Sequence, residues 1–282
     1  MDTASRIQGA VQSLSHLFSR KAKEGVPPRL ANPVRYPFGE FELQLHASPG
    51  QEVELQISRD FKNWETLDKL VAAKEVTTIS DKKAGAYGAL FYRAVAGAGT
   101  SNYLGFLSVD LPPGYSLISN PLRGPSNEIG QLFSTVPEGC TINKYSLITF
   151  TLNKISFARG KWSSPLETLA PGEGALFFNA SDGATAVHFV GEVPRDMQSV
   201  PVQTGTSMRG SLLPLAGRLD SELGFPVAAG DVISIYSNHN EKYAELKYTH
   251  EGWEREAPIL RLGEGFWVAK STAAVWKQRL PE

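Results

Sequence analysis

The hydrophobic pattern changes period along the chain. Over residues 3–23 the apolar positions Ile7, Val11, Leu14 and Phe18 follow a 4-3-4 spacing, which draws a narrow stripe along one face of an amphipathic helix. Leu17 widens the stripe, Arg20, Lys21 and Lys23 put positive charge in the last turn as the helix dipole prefers, and Gly25, Pro27 and Pro28 end it. From about Tyr36 to Leu111 the period becomes two. Phe41, Leu43 and Leu45 alternate with polar residues, as do Val53, Leu55 and Ile57, so half-buried strands are expected with a turn at Ser48-Pro49-Gly50. Val76–Ile79, Ala89–Ala96 and Tyr103–Val109 supply further strands at the spacing of a small β-sandwich. An isolated helix of this length is marginal in water, so residues 3–23 are expected to dock on their own domain or on another subunit.

The remaining chain contains a duplication. A single gapless offset of 91 residues superimposes Gly114 and Ser116 on Gly205 and Ser207, and Gly139 on Gly230. The same offset carries Ile142 to Ile233, Tyr145-Ser146 to Tyr236-Ser237, Trp162 to Trp253, and Gly172-Glu173-Gly174 to Gly263-Glu264-Gly265. Two copies of one β unit follow, at about 112–200 and 201–282. The expected protein is therefore all-β: an amphipathic helix and linker (1–33), a sandwich (34–111), and two tandem related β units that could pack about a pseudo-twofold axis. The repeated Gly-Glu-Gly reads as a tight turn in which glycine supplies positive φ and the carboxylate accepts backbone N–H bonds or faces solvent.

Ser58-Arg59-Asp60-Phe61-Lys62-Asn63-Trp64, Ser80-Asp81 and Phe91-Tyr92-Arg93 resemble the fibronectin type III or immunoglobulin-like modules of large bacterial surface proteins. There a Ser-x-Asp-Leu-x-Asn-Trp stretch precedes a closing Phe-Tyr-Arg strand; here Phe61 stands in place of the Leu. The resemblance implies a spacer or interaction module and brings no catalytic residues. The two Gly-x-Ser…Trp…Gly-Glu-Gly units are similar to paired Gly-rich repeats of secreted or surface proteins in some bacteria, which imply no activity either.

Composition narrows the chemistry. With 41% hydrophobic and 20% charged residues among 282, the chain is neither disordered nor collagen-like. No run approaches the roughly 18 apolar residues of a spanning helix, so no membrane span is expected. A net charge of −1 is a poor footprint for nucleic acid. The single cysteine, Cys140, permits no intramolecular disulfide. His16, His46, His188, His239 and His250 show no zinc spacing, and Gly97-Ala98-Gly99-Thr100 lacks the third glycine and helix of a dinucleotide loop. No cofactor, metal site or catalytic residue is assigned. No classical export signal is read at the start of the sequence.

The leading expectation is a non-enzymatic structural or interaction protein, built into an assembly such as a cell-surface layer, appendage or virion, whose partners are protein subunits, further copies of itself among them. The helix residues Ile7, Val11, Leu14 and Phe18 are one candidate contact. Ile148 and Phe150 are the other, because their counterparts His239 and Glu241 are polar and positions that differ so between copies are poor common core. Leu152, Ile155 and Phe157, matched by Tyr243, Leu246 and Tyr248, are expected in the shared core. The alternative is a carbohydrate-binding protein using Tyr243, Trp253, His239 and Glu241 to hold a glycan, although the repetition of Trp253 as Trp162 also fits a core anchor. A third reading is a glycoside hydrolase, which would need two carboxylates converging in a cleft.

Overall fold

The computed structural model describes residues 26–97 and 99–281. The helix expected over 3–23, with Ile7, Val11, Leu14 and Phe18, lies outside the described residues. The protein is all-β, and every described ladder is antiparallel. Among the described residues, helical structure is confined to the short turns Ala84–Ala86 and Ile129–Leu132.

The first module holds β1 (Arg29–Arg35), β2 (Phe41–His46), β3 (Glu52–Ser58), β4 (Glu65–Val71), β5 (Val76–Asp81), β6 (Ala89–Ala96), β7 (Gly99–Thr100) and β8 (Tyr103–Leu111). One sheet runs β1-β2-β5, and the facing sheet contains β4-β3-β6-β8 with β7 paired to β6. The alternation seen in the sequence sets the inner faces: Phe41, Leu43, Leu45, Val53 and Leu55 are buried together with Leu90, Tyr92 and Phe106. Each such side chain contributes about 1.5–3 kcal/mol of burial free energy. The Tyr92 hydroxyl donates to Asp81 Oδ2 at 2.9 Å inside this core, and burial, reinforced by the Asp81 charge, pushes its pKa far up.

The Ser58–Trp64 stretch is a turn that satisfies itself. Ser58 Oγ accepts the Phe61 N–H at 2.9 Å, Asp60 Oδ1 accepts the N–H groups of Lys62 and Asn63, and Trp64 Nε1 donates to the Phe61 carbonyl. The Asn63 backbone bond foremost, helped by its side chain, holds the Asp60 carboxyl far below the usual range. Its polar groups are thus engaged in shaping the chain, and the Phe61 ring stacks on Phe91 at 4.3 Å between ring centres.

The first repeat comprises β9 (Gly114–Ser119), β10 (Thr141–Tyr145), β11 (Leu152–Ala158), β12 (Lys161–Trp162), β13 (Gly174–Asn179) and β14 (Thr185–Val193). The second has β15 (Gln198–Val202), β16 (Gly205–Gly210), β17 (Gly217–Arg218), β18 (Val232–Ser237), β19 (Lys242–Thr249), β20 (Gly252–Trp253), β21 (Ile259–Leu260), β22 (Gly265–Lys270) and β23 (Ala274–Gln278). The two five-stranded sheets have the same order: β12-β11-β10-β13-β9 and β20-β19-β18-β22-β16.

The structural repeat also extends upstream of the sequence match. β14 pairs with β8, setting Val187 against Val109, and β23 pairs with β15, setting Trp276 against Val200. Val109 and Val200 are themselves 91 positions apart. The returning strand stays in step although the turn before it has five residues (180–184) in the first copy and three (271–273) in the second. The alignment had to break at that turn, which is why the gapless offset stops there.

β14 makes the first module and first repeat inseparable. Its sheet is a middle layer: Leu90, Tyr92 and Phe106 face the β1-β2-β5 sheet, while Phe91, Leu107 and Phe189 face a second core with Ile118, Phe133 and Phe177 of the first repeat. Leu213 and Leu280 of the second repeat close the same core. The units share hydrophobic cores rather than hanging as beads on linkers.

Four of the six residues expected in the shared core are not buried. Ile155 and Phe157 are buried, but Leu152 and Tyr243 are exposed in both copies, and Leu246 and Tyr248 are only half-buried. Leu152 begins β11 and Tyr243 is the second residue of β19, next to the hairpin turns, where Tyr243 packs on Tyr236 of the adjacent strand.

Candidate functional site

The two repeats meet face to face, and their contacts are reciprocal under the 91-residue offset. Ile118 bridges to Glu264, and its counterpart Arg209 bridges to Glu173. The Ser119 N–H donates to the Gly263 carbonyl at 2.8 Å, and the Gly210 N–H donates to the Gly172 carbonyl at 3.3 Å. Between the sheets lies a small apolar cluster of three matched pairs: Leu117 with Met208, Leu176 with Trp267, Tyr145 with Tyr236. Each partner contributes the same surface, the mark of an isologous, twofold arrangement.

The Gly-Glu-Gly turns sit at this interface. Gly172 and Gly263 have φ of 90° and 76°, the left-handed region that glycine occupies freely. Glu173 Oε2 accepts the Ala170 N–H, and Glu264 Oε2 accepts the Arg261 N–H, both at 2.9 Å. The second glycine has a separate cause. A methyl on Gly174 would stand 2.6 Å from the Arg209 carbonyl oxygen, and one on Gly265 2.7 Å from that of Ile118, so the other repeat's backbone excludes any side chain.

The surroundings of the two glutamates differ. Glu173 receives the Lys144 ammonium at 3.2 Å, which also donates to the Thr168 carbonyl, and the charge of buried Arg209 acts on it from the other repeat. Burial lowers the Arg209 pKa, and Glu173 opposes that shift. At the positions of Lys144 and Arg209 the Glu264 site has Ile235 and Ile118. Burial raises the Glu264 carboxyl above its ordinary pKa, against the Arg261 N–H and the Arg261 charge.

Glu264 borders a cleft of about 650 Å³ between β8, β9, the end of β18 and the 259–264 segment. Its titratable lining groups are Asp110, Tyr236, His239, Arg261 and Glu264. Arg261 forms no ion pair with either carboxylate among the described residues. Asp110 alternates with Val109 along β8 and its charge acts on His188, so Glu264 is the carboxylate of this cleft, and it uses an oxygen to close its own turn as Glu173 does.

The residues named from sequence fall in three places. Ile148 and Phe150, 89% and 72% exposed, occupy the tip of the β10–β11 hairpin with Leu147 beside them. Ser146 Oγ accepts the N–H groups of Ile148 and Thr149, and the Phe150 N–H donates to the Ser146 carbonyl, so the tip is held rather than loose. His239 lines the cleft, Glu241 stands in the hairpin turn at φ 53°, and Tyr243 packs on Tyr236 with ring centres 4.9 Å apart. Trp253 is not with them. It lies against Tyr248 toward the other end of β19, and its Nε1 donates to Asp220 Oδ2 at 2.8 Å. Its twin Trp162 likewise donates inward, to the Phe133 carbonyl.

Sequence reasoning missed Lys144, Arg209 and Asp110. The signal for the first two was present, since the offset sets Lys144 against Ile235 and Arg209 against Ile118; that both act on one glutamate is a fact of the interface. Asn179-Ala180-Ser181, which has the pattern of a glycosylation acceptor, is buried at Asn179, whose Nδ2 donates to the carbonyls of Leu111 and Gly183. Among the described residues no group of three or more His, Cys, Asp or Glu is placed to hold a metal ion, and no helix is long and apolar enough to cross a membrane. No protein-family model matches the chain, and no curated protein matches it.

Proposed function

We propose that the protein is a non-enzymatic structural or interaction protein, built as a rigid unit into a larger assembly, with the 146–151 hairpin as a contact surface. The observation that carries this reading is the hairpin tip, where Ile148 and Phe150 are held in solvent by a hydrogen-bonded turn. Large apolar side chains presented together in this way favour contact with a partner surface. The twin hairpin sharpens the point. Its residues at these positions are His239 and Glu241, and Asn238 ties it within the molecule by donating to the carbonyls of Pro113 and Tyr115. The strand order of the first module supports its resemblance to immunoglobulin-like spacers, which also pack two antiparallel sheets.

The first occupant to test is a second copy of this chain. Light scattering of the full chain against the double variant Ile148→Ser with Phe150→Ser is expected to show an oligomer that falls in mass, and the same chain lacking residues 1–30 reports whether the N-terminal segment contributes. Monomeric mass for the parent at every concentration would exclude self-assembly through this hairpin.

A further inference from the structure

The two glutamate turns are twins, and one of them is completed by the protein's own cations. Lys144 reaches Glu173 across its turn, with Arg209 close by. In the other, isoleucines replace both cations and a cleft of about 650 Å³ opens beside Glu264. That volume suits a small ligand or a single long side chain. Its walls and the Glu264 carboxylate are complementary to one chemistry. Val109, Ile118, Ile235 and Leu262 offer apolar surface for a methylene stem, while Glu264 offers a carboxylate for a cationic head. Arg261 and His239 also border the cleft; the Arg261 charge acts on Glu264, but among the described residues neither side chain forms an ion pair with it.

We propose that the cleft binds an alkylammonium or alkylguanidinium group, the side chain of a lysine or arginine from outside this chain, in the place that Lys144 fills in the other repeat. The protein supplies the template in its own first repeat, where an ammonium sits 3.2 Å from the matching carboxylate. The inference is independent of the hairpin, since a small molecule can test it. The described residues begin away from the cleft. Val26 is tied to Gln51 and Pro27 lies against Gly99, next to the start of β8, whereas the cleft borders its far end. The nine residues of β8 span roughly 30 Å at about 3.3 Å each.

The probe is N-acetyl-lysine N-methylamide, titrated into the isotope-labelled full chain while amide shifts are followed by NMR. The twin turns provide an internal control. Gly263 and Gly265 are expected to shift, and Gly172 and Gly174 to stay. The norleucine analogue, which keeps the stem and lacks the charge, should bind about tenfold more weakly, the worth of one charge-assisted hydrogen bond. Glu264→Gln, which retains an acceptor for the Arg261 N–H, should weaken the lysine probe by a similar factor. Ile235→Lys should abolish binding by supplying the missing occupant. Equal shifts at both turns, equal affinity for norleucine, undiminished binding by Glu264→Gln, or no shift at all would each overturn the proposal. If Ile235→Lys fails to fold, the glutamine variant and the norleucine probe still decide it.

Discussion

The two repeats share strand order, the Gly-Glu-Gly turn and a tryptophan, yet at matched positions under the β sheet they solve one problem in opposite ways. In the second repeat Asp231 and Lys270 form a fully buried ion pair, and the Lys270 ammonium also donates to the Pro226 carbonyl. In the first, the same two positions carry Cys140 and Asn179, a neutral pair in loose contact at 3.9 Å. Both arrangements tie a strand end to the adjoining loop. Asp231 accepts from Ala228 and Ser271, while Asn179 donates to Leu111 and Gly183 and accepts from Ser181. The architecture requires that the loop be fastened and is indifferent to whether charge does it. The two solutions differ in what failure costs, because one leaves a buried charge and the other a buried amide.

The largest effect expected is therefore at Lys270. Lys270→Met should cost about 3–5 kcal/mol by stranding the Asp231 carboxylate, whereas Asn179→Ala should cost about 1–3 kcal/mol for unsatisfied carbonyls. Asp231→Cys combined with Lys270→Asn writes the first repeat's pair into the second and should recover most of the loss. Denaturant unfolding of the four proteins measures this, and equal costs at the two sites would erase the distinction.

Next is the axis itself. Ser119 and Gly210 are twofold mates, and a Cβ on Gly210 would stand 2.0 Å from the Ser119 Cβ. Only one of them can carry a side chain. Gly210→Ala should cost about 1–3 kcal/mol through overpacking. Adding Ser119→Gly should restore most of it, because the molecule only exchanges which half holds the bulk. A second variant that remains as unstable as the first would show that the clash is not on the axis.

A smaller effect separates the sites by pH. At Asp231, burial pushes the carboxyl pKa up, but the bonds from Lys270, Ser271 and Ala228 outweigh it and hold the pKa below the ordinary value. Its contribution is thus present above the unfolded carboxyl pKa of about 3.9 and is lost as pH falls through the lower folded value. Glu264 runs the other way. Its folded pKa is raised by burial, so it opposes folding at neutral pH and is relieved as pH falls toward about 4.3. Glu264→Gln should raise the melting temperature at pH 7 and lose that gain near pH 4, while Glu173→Gln, which gives up the Lys144 contact, should show no gain.

The smallest stability effect is expected at the exposed hairpin. Ile148→Ser with Phe150→Ser should leave the unfolding free energy within about 0.5 kcal/mol, as surface substitutions generally do. A large loss would mean that these side chains pack within the chain and would remove the reason to regard them as a contact surface.

Much of this was legible beforehand. Alternation along β2 and β3 is a local property, so Phe41, Leu43 and Leu45 could be assigned to a core before any partner strand was known. Repetition is legible too: the Trp, Tyr-Ser and Gly-Glu-Gly matches need no structure. The exchange of β14 into the first module was not legible, because a strand reads the same whichever sheet it joins. Leu152 and Tyr243 failed as core positions for a related reason, since apolar character states what a residue could bury and not what lies above it.

The sequence by itself determined the all-β class, the duplication, the turn at each Gly-Glu-Gly and the polar–apolar contrast at the hairpin tips, because each depends on residues near in the chain or on a fixed offset. Only the tertiary structure decided that the halves face each other across a twofold axis, that Ser119 and Gly210 compete for one space, and that Glu173 meets Lys144 while Glu264 meets a cleft. Those facts depend on which surfaces approach in space. Packing between distant segments sets that approach, and no local pattern encodes it.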